Sequence, residues 1–253
     1  MGLLDGKAIV VTGAGRGLGR AFAEAAADQG ASTIIVAEID PALGQETAQA
    51  LTAKGVDAPF VQVDLGDPAS VASMGAAIVR THGHIDGLVN NGAIATGIGG
   101  KTFEEIDLET WDRVMAVNVR GTWLAVKALA PLLRKAPGGA RIVNIASDTA
   151  LWGAPRLLHY VSSKGAIIAM TRSLSRELGP DNIAVNAIAP GLTLVEATEY
   201  VPQERKDHYV TGRSIQREQH PDDVVGSVMF LLSDSAAFVT GQVLPVNGGF
   251  VFN

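Results

Sequence analysis

The chain has 253 residues, 47% hydrophobic and 18% charged, a balance that supports one substantial buried core and excludes a disordered or fibrous protein. A formal net charge of −6, with no run of Lys and Arg longer than two, leaves no electrostatic footprint for a nucleic acid or an anionic membrane surface. The absence of cysteine removes disulfides, thiolate nucleophiles and cysteine-based zinc sites, and no apolar run reaches the roughly 18 residues of a membrane span; a cytoplasmic protein is expected.

In chain order, Lys7 to Thr12 is an apolar run rich in Val and Ile. Gly13, Gly17 and Gly19 follow, and then an Ala-rich stretch that ends at Gly30: strand, Gly-rich turn, helix. A second strand is expected at Thr33 to Ala37, a helix at Pro41 to Lys54 and a third strand at Pro59 to Val63. The alternation continues through a helix at Pro68 to Thr81, a strand at Gly87 to Val89, one long helix from Leu108 to Leu133 and a strand at Arg141 to Ile145. A helix from His159 to Leu178 precedes a strand at Ala184 to Ala189, and a helix at Asp222 to Leu232 precedes a last strand at Gln242 to Val246. Seven apolar strands alternating with helices predict a doubly wound, Rossmann-like parallel sheet covered on both faces, as one domain over residues 1–253. Only Gly191 to Gln219 lacks clear periodicity, and an irregular stretch of that length reads as a lid.

The segment Thr12 to Gly19 lies between strand and helix, where backbone N–H groups and the helix dipole receive a pyrophosphate. Gly13, Arg16, Gly17, Leu18 and Gly19 are therefore candidate cofactor contacts. The second strand ends at Glu38, 19 residues after Gly19, where such folds place an acid on the adenosine ribose. Glu38 also repels a 2′-phosphate: two charges 4 Å apart cost about 1 kcal/mol in water and about 4 kcal/mol at an effective dielectric of 20. NAD is thus expected over NADP. Arg16 is the opposing consideration, as a partner for a 2′-phosphate, while Asp40 reads as a helix cap. Asp64 reads either as an acceptor for the adenine amino group, with Leu65 beside the ring, or as a turn residue. Asn90-Asn91-Gly92-Ala93 brings amides and a glycine to the carboxyl edge of the sheet, and Asn91 joins the cofactor candidates.

Tyr160 and Lys164 stand four apart on one predicted helix face. A tyrosine has a pKa near 10, but an ammonium and a nicotinamide cation beside it stabilise the phenolate, so the lysine tunes and the tyrosine transfers the proton. Ser147 follows the fifth strand and is placed to polarise a substrate oxygen. A hydrolase built on Ser147, His159 and Asp148 lacks the G-x-S-x-G elbow. The five histidines show no ligand spacing, and no catalytic metal is expected.

Taken together, Thr12 to Gly19, Asp64, Asn90 to Ala93, Asn118, Ser147, Tyr160, Lys164 and Pro190-Gly191 resemble, in order, the motifs of the short-chain dehydrogenase/reductase family, from Lys7 to Gly249. The resemblance implies a nicotinamide-dependent oxidoreductase with Tyr160 as general acid/base, Lys164 on the nicotinamide ribose and Ser147 on the substrate oxygen. It gives Asn118 a water in a proton relay, where a buried amide bracing its helix is the competing reading. Pro190, Gly191 and the backbone of Thr193 would line the carboxamide, and the family implies a homotetramer. Two departures stand out: Gly92-Ala93 replaces the family's Ala-Gly order, and Val195 stands where a threonine is common. Trp152, Leu157, Leu158 and Tyr200 suggest a moderately apolar pocket for a small secondary alcohol or ketone, or else packing alone. The alternatives are a 3-oxoacyl carrier-protein reductase using NADPH and a nicotinamide-sensing module without turnover.

Overall fold

The computed structural model describes residues 2–252. Seven parallel strands form one sheet: β1 (Ala8–Thr12), β2 (Thr33–Glu38), β3 (Phe60–Gln62), β4 (Gly87–Asn90), β5 (Ala140–Ile145), β6 (Ile183–Pro190) and β7 (Val243–Val246), in the order β3-β2-β1-β4-β5-β6-β7. Successive strand residues face opposite sides. In β1, Ile9 and Val11 enter one core and Val10 the other. The central strands are therefore mostly apolar, as burial on both faces demands, and the buried polar exceptions include Asn90, Arg141, Asn144 and Asn186.

The first face carries α1 (Gly17–Asp28), α2 (Pro41–Ala53) and α9 (Asp222–Leu232), through Phe22, Leu51, Val228 and Leu232. The second carries α3 (Pro68–Thr81), α5 (Thr122–Leu133) and α7 (Leu158–Leu178), through Met74, Ile78, Leu129 and Leu178. Local chemistry sets the helix starts. Asp40 accepts from the backbone of Ala42 and Leu43 ahead of Pro41, so its role is the cap, and Asp67 accepts from Ala69 ahead of Pro68. Strand order reverses between β1 and β4, which opens a crevice at the carboxyl ends of the strands.

Three elements differ from the sequence expectation. The helix expected as continuous from Leu108 to Leu133 is α4 (Leu108–Met115), a π-helical turn at Ala116–Gly121 and α5. Within that turn Asn118 bonds outward to Ile94, and Gly121 presses so close to Leu65 that a methyl group there would lie 2.6 Å from the Leu65 carbonyl oxygen. The stretch expected to be irregular holds a 3₁₀ turn at Glu196–Thr198 and α8 (Gln203–Gly212). A short α6 (Thr149–Trp152) follows β5. Among the described residues no helix is long and apolar enough to cross a membrane.

Phe22 is fully buried between α1 and the sheet. Phe22→Ala is expected to destabilise the chain by about 3–5 kcal/mol, read as a lower urea midpoint with an unchanged slope.

Candidate active site

The crevice is a groove of about 1460 Å³ that runs from the Gly-rich turn across the ends of β1, β4 and β5 to the segment around α8. Gly13, Arg16, Gly17, Leu18, Gly19, Glu38, Asp64, Leu65, Asn91, Ser147, Tyr160, Lys164, Pro190, Gly191 and Thr193 all line it. Asn118 does not; it stands buried behind the wall.

At the turn, the backbone is held open by what it lacks. Gly13 adopts φ 63°, and a methyl on it would lie 2.7 Å from the Gly92 Cα. A methyl on Gly19 would collide with the carbonyl of Gly13 and the amide of Asn91. Asn91 Nδ2 donates to the carbonyls of Thr12 and Gly13, both at 3.1 Å, and Thr12 Oγ1 accepts from the N–H groups of Asn91 and Gly92, both at 3.0 Å. This cradle, closed to any Cβ and set before the N-terminus of α1, fits a dinucleotide pyrophosphate.

Glu38 is 8% exposed. Its Oε2 accepts from Gly15 N at 2.9 Å, and its Oε1 from Ile39 N at 2.8 Å and Asp40 N at 3.2 Å. A carboxylate offers about four acceptor positions, so capacity is left for a ribose hydroxyl. The Arg16 side chain is exposed and, among the described residues, makes no hydrogen bond or ion pair. Asp64 Oδ1 accepts from Gly66 N at 2.7 Å, which makes it a turn residue that also edges the groove.

Toward the other end, Lys164 is 4% exposed and donates from Nζ to the Ile145 carbonyl at 2.7 Å. Its Nζ lies 5.6 Å from the centre of the Tyr160 ring. Burial lowers the lysine to about 8. Tyr160 is pushed up to about 12, chiefly by burial, while a hydrogen bond with Ser147 pulls it down and Tyr200 and Asp148 push it further up. Ser147 Oγ accepts from Thr149 Oγ1 at 2.9 Å and from Thr149 N at 3.3 Å. A hydroxyl has two acceptor positions and one proton, so Thr149 leaves the Ser147 O–H to donate into the groove.

Asn118 uses Oδ1 to accept from Ile94 N at 2.8 Å, and donates from Nδ2 to the Ile94 carbonyl and Ser163 Oγ, both at 3.1 Å. Its amide braces the loop after β4. At the carboxyl end of β6, Gly191 N donates to the Val246 carbonyl and Asp148 N to the Pro190 carbonyl, both at 3.0 Å. Val195 brings no hydroxyl; Thr198 supplies one, donating to the Thr193 carbonyl at 2.7 Å and accepting from Val195 N at 3.0 Å.

The hydrolase arrangement does not form. Both ring nitrogens of His159 are buried without a hydrogen-bond partner, Ser147 is bound to Thr149, and Asp148 accepts from Tyr209. Leu157 edges the groove but Leu158 is 44% exposed, outside it, so that leucine drops out of the expected pocket. Sequence reasoning missed Thr149, Thr198, Tyr209 and Arg213. Each acts through a contact made only in the fold, and the one available hint was a hydroxyl two residues after Ser147.

Residues 13–251 match the family model described as enoyl-(acyl carrier protein) reductase. The chain is 36% identical to 2-(S)-hydroxypropyl-CoM dehydrogenase 3 of Xanthobacter autotrophicus, covering 97% of each chain. It is also 36% identical to the 3-oxoacyl-acyl-carrier-protein reductase of Aquifex aeolicus, over 97% of this chain and 98% of that one. A solved structure described as a candidate short-chain alcohol dehydrogenase of Sinorhizobium meliloti 1021 superposes with a TM-score of 0.89 at 31% identity, covering 98% of this chain and 97% of the other. With motifs, sheet order and whole-length relatives in agreement, the chain belongs to the short-chain dehydrogenase/reductase family of nicotinamide-dependent oxidoreductases.

Proposed function

We propose that the protein uses NAD to interconvert a small, moderately apolar secondary alcohol and its ketone, with Tyr160 as the general acid/base. The carrying observation is that the Tyr160 phenol, the Ser147 hydroxyl and the buried Lys164 ammonium meet at one end of a groove whose other end is a Gly-rich cradle with Glu38. The nicotinamide, when bound, exchanges a hydride with the substrate carbon. With Thr149 on its acceptor positions, Ser147 has one proton to offer, which reaches the Tyr160 oxygen in the open groove and the substrate oxygen once that is bound. Tyr160 takes the hydroxyl proton during oxidation and returns it during reduction. Lys164, tied to Ile145 by one N–H, keeps two for the ribose and holds positive charge near the phenol. Pro190, Gly191 and Thr193 form the wall for the carboxamide, Asp64 and Leu65 flank the adenine, and Asn118 keeps Ile94 in place. Ile98, Val114 and Leu157, packed with Ile94 and Tyr160, give the apolar side that suits alkyl carbon. Family membership supports a homotetramer, checked by light scattering.

The exposed, unpaired Arg16 favours a second reading, a 3-oxoacyl carrier-protein reductase using NADPH, and one of the relatives is named a 3-oxoacyl-acyl-carrier-protein reductase. Cofactor preference separates the two. Glu38→Gln keeps the shape and removes the charge. It is expected to narrow the NAD over NADP preference in kcat/KM by one to two decades, the size of a charge repulsion of a few kcal/mol; a wild type that prefers NADP overturns the NAD assignment.

Tyr160→Phe is expected to lower kcat by about 10²–10⁴-fold while the dinucleotide affinity measured by calorimetry stays within about threefold. Unchanged function in this variant would support a binding module without turnover.

The pH dependence follows from the two ionisations. Oxidation needs the phenolate and rises with pH, while reduction needs the phenol and falls. Phenolate absorbance of the dinucleotide-free protein should develop for Tyr160 near 12, and saturating NAD should move that midpoint downward, because a cation beside the ring favours the charged form.

A further inference from the structure

A buried carboxylate stands one residue beyond Ser147 with no place in the chemistry described so far. Asp148 is 0% exposed, its backbone N–H donates to the Pro190 carbonyl at 3.0 Å, and its Oδ2 has no hydrogen-bond partner. Oδ1 accepts from the Tyr209 hydroxyl at 3.2 Å. Burying a charge this way is costly unless something is gained by it, and here the gain is a contact across the groove. Tyr209 is the only buried residue of α8, a helix that is otherwise mostly polar. Its ring stacks on Phe250 at 4.4 Å, meets the edge of Trp152 at 6.2 Å, and lies 5.4 Å beneath the Arg213 guanidinium.

Arg213 extends the connection. It is 3% exposed and donates to the Leu192 carbonyl at 2.8 Å, to Gln219 Oε1 at 3.0 Å and to the Arg217 carbonyl at 2.9 Å. Gln219 in turn donates to the Val246 carbonyl at 2.7 Å, next to Gly191. Burial raises the Asp148 carboxyl to about 7 against the pull of the Tyr209 hydroxyl and the Arg213 charge. Tyr209, the one buried side chain of α8, thus donates from its hydroxyl to the residue after Ser147. Arg205, His208 and Tyr209 of α8 line the substrate end of the groove.

We infer that Asp148 is a positioning residue: its hydrogen bond with Tyr209 latches α8 onto the Ser147 loop and so sets the distance between the substrate wall and the reacting groups. Its kinetic consequence rests on the oxidoreductase reading given above; its structural consequence does not. The latch predicts a split, with KM for the alcohol rising about tenfold in Tyr209→Phe and Asp148→Ala, the scale of one hydrogen bond to a charged group. Turnover at saturation should stay within about threefold, and dinucleotide affinity should hold.

The test is hydrogen–deuterium exchange on the full chain, combined with steady-state kinetics on the same variants. Residues 203–212 should exchange about tenfold faster in Tyr209→Phe and Asp148→Ala, with the strands of the sheet unchanged. The double variant should be no worse than either single one, and Asp148→Asn, which keeps an oxygen for the phenol, should recover most of the protection. Wild-type exchange in Tyr209→Phe, or effects of the two singles that multiply in the double, would overturn the latch. Should Asp148→Ala fail to fold, Tyr209→Phe decides alone. Should the wild type oxidise no alcohol, the functional reading fails while the exchange data still judge the latch.

Discussion

The groove exists because two backbones touch where the sheet changes direction. Gly13 and Gly92 approach so closely across the β1–β4 gap that neither tolerates an added carbon without displacement: a methyl on Gly13 would meet Gly92 Cα at 2.7 Å, and one on Gly92 would meet Leu65 Cδ1 at the same distance. Thr12 and Asn91 tie the two loops with four hydrogen bonds between 3.0 and 3.1 Å. This contact fixes the cradle at the start of α1 and the entry to the wall that Asn118 braces. It also accounts for the reversed Gly92-Ala93 order. The position crowded by Leu65 and Gly13 takes the glycine, and the exposed neighbour at the groove edge carries the methyl.

Much of this could be read from the sequence because period and burial agree. Strands buried on both faces read as near-continuous apolar runs, and β1, β4, β5 and β6 are buried along their whole length with few polar residues among them. The helices that flank them show an apolar stripe, so their existence and order were plain. The helix α8 was not legible for the opposite reason. Only its tyrosine is buried, and a helix with one buried side chain has no period to detect. The π turn was equally hidden, since its cause is the outward bond of Asn118 to a loop 24 residues earlier.

The site residues divide in the same way. That Gly13, Gly19, Glu38, Tyr160 and Lys164 line one groove follows from their spacing relative to the strands and helices along the chain. Thr149 and Thr198 were not legible, because they act by filling the hydrogen-bonding capacity of their neighbours. Ser147 becomes a donor toward the groove only once Thr149 has taken its lone pairs, and the valine at 195 is harmless to the loop only because Thr198 bonds the backbone on either side.

Cofactor preference is best argued from rigidity. Glu38 is held by three backbone N–H groups from two separate segments, so its charge is fixed in place, and the buried setting strengthens its field. Arg16 has an exposed, unpaired side chain, and water and salt screen what it offers. To bind a phosphate it would also give up side-chain freedom, whereas Glu38 has none left to lose. A fixed repulsion set against a screened, mobile attraction is the physical ground of the NAD preference proposed above, which rests on the Gly15, Ile39 and Asp40 amides that hold the carboxylate as much as on the acid itself.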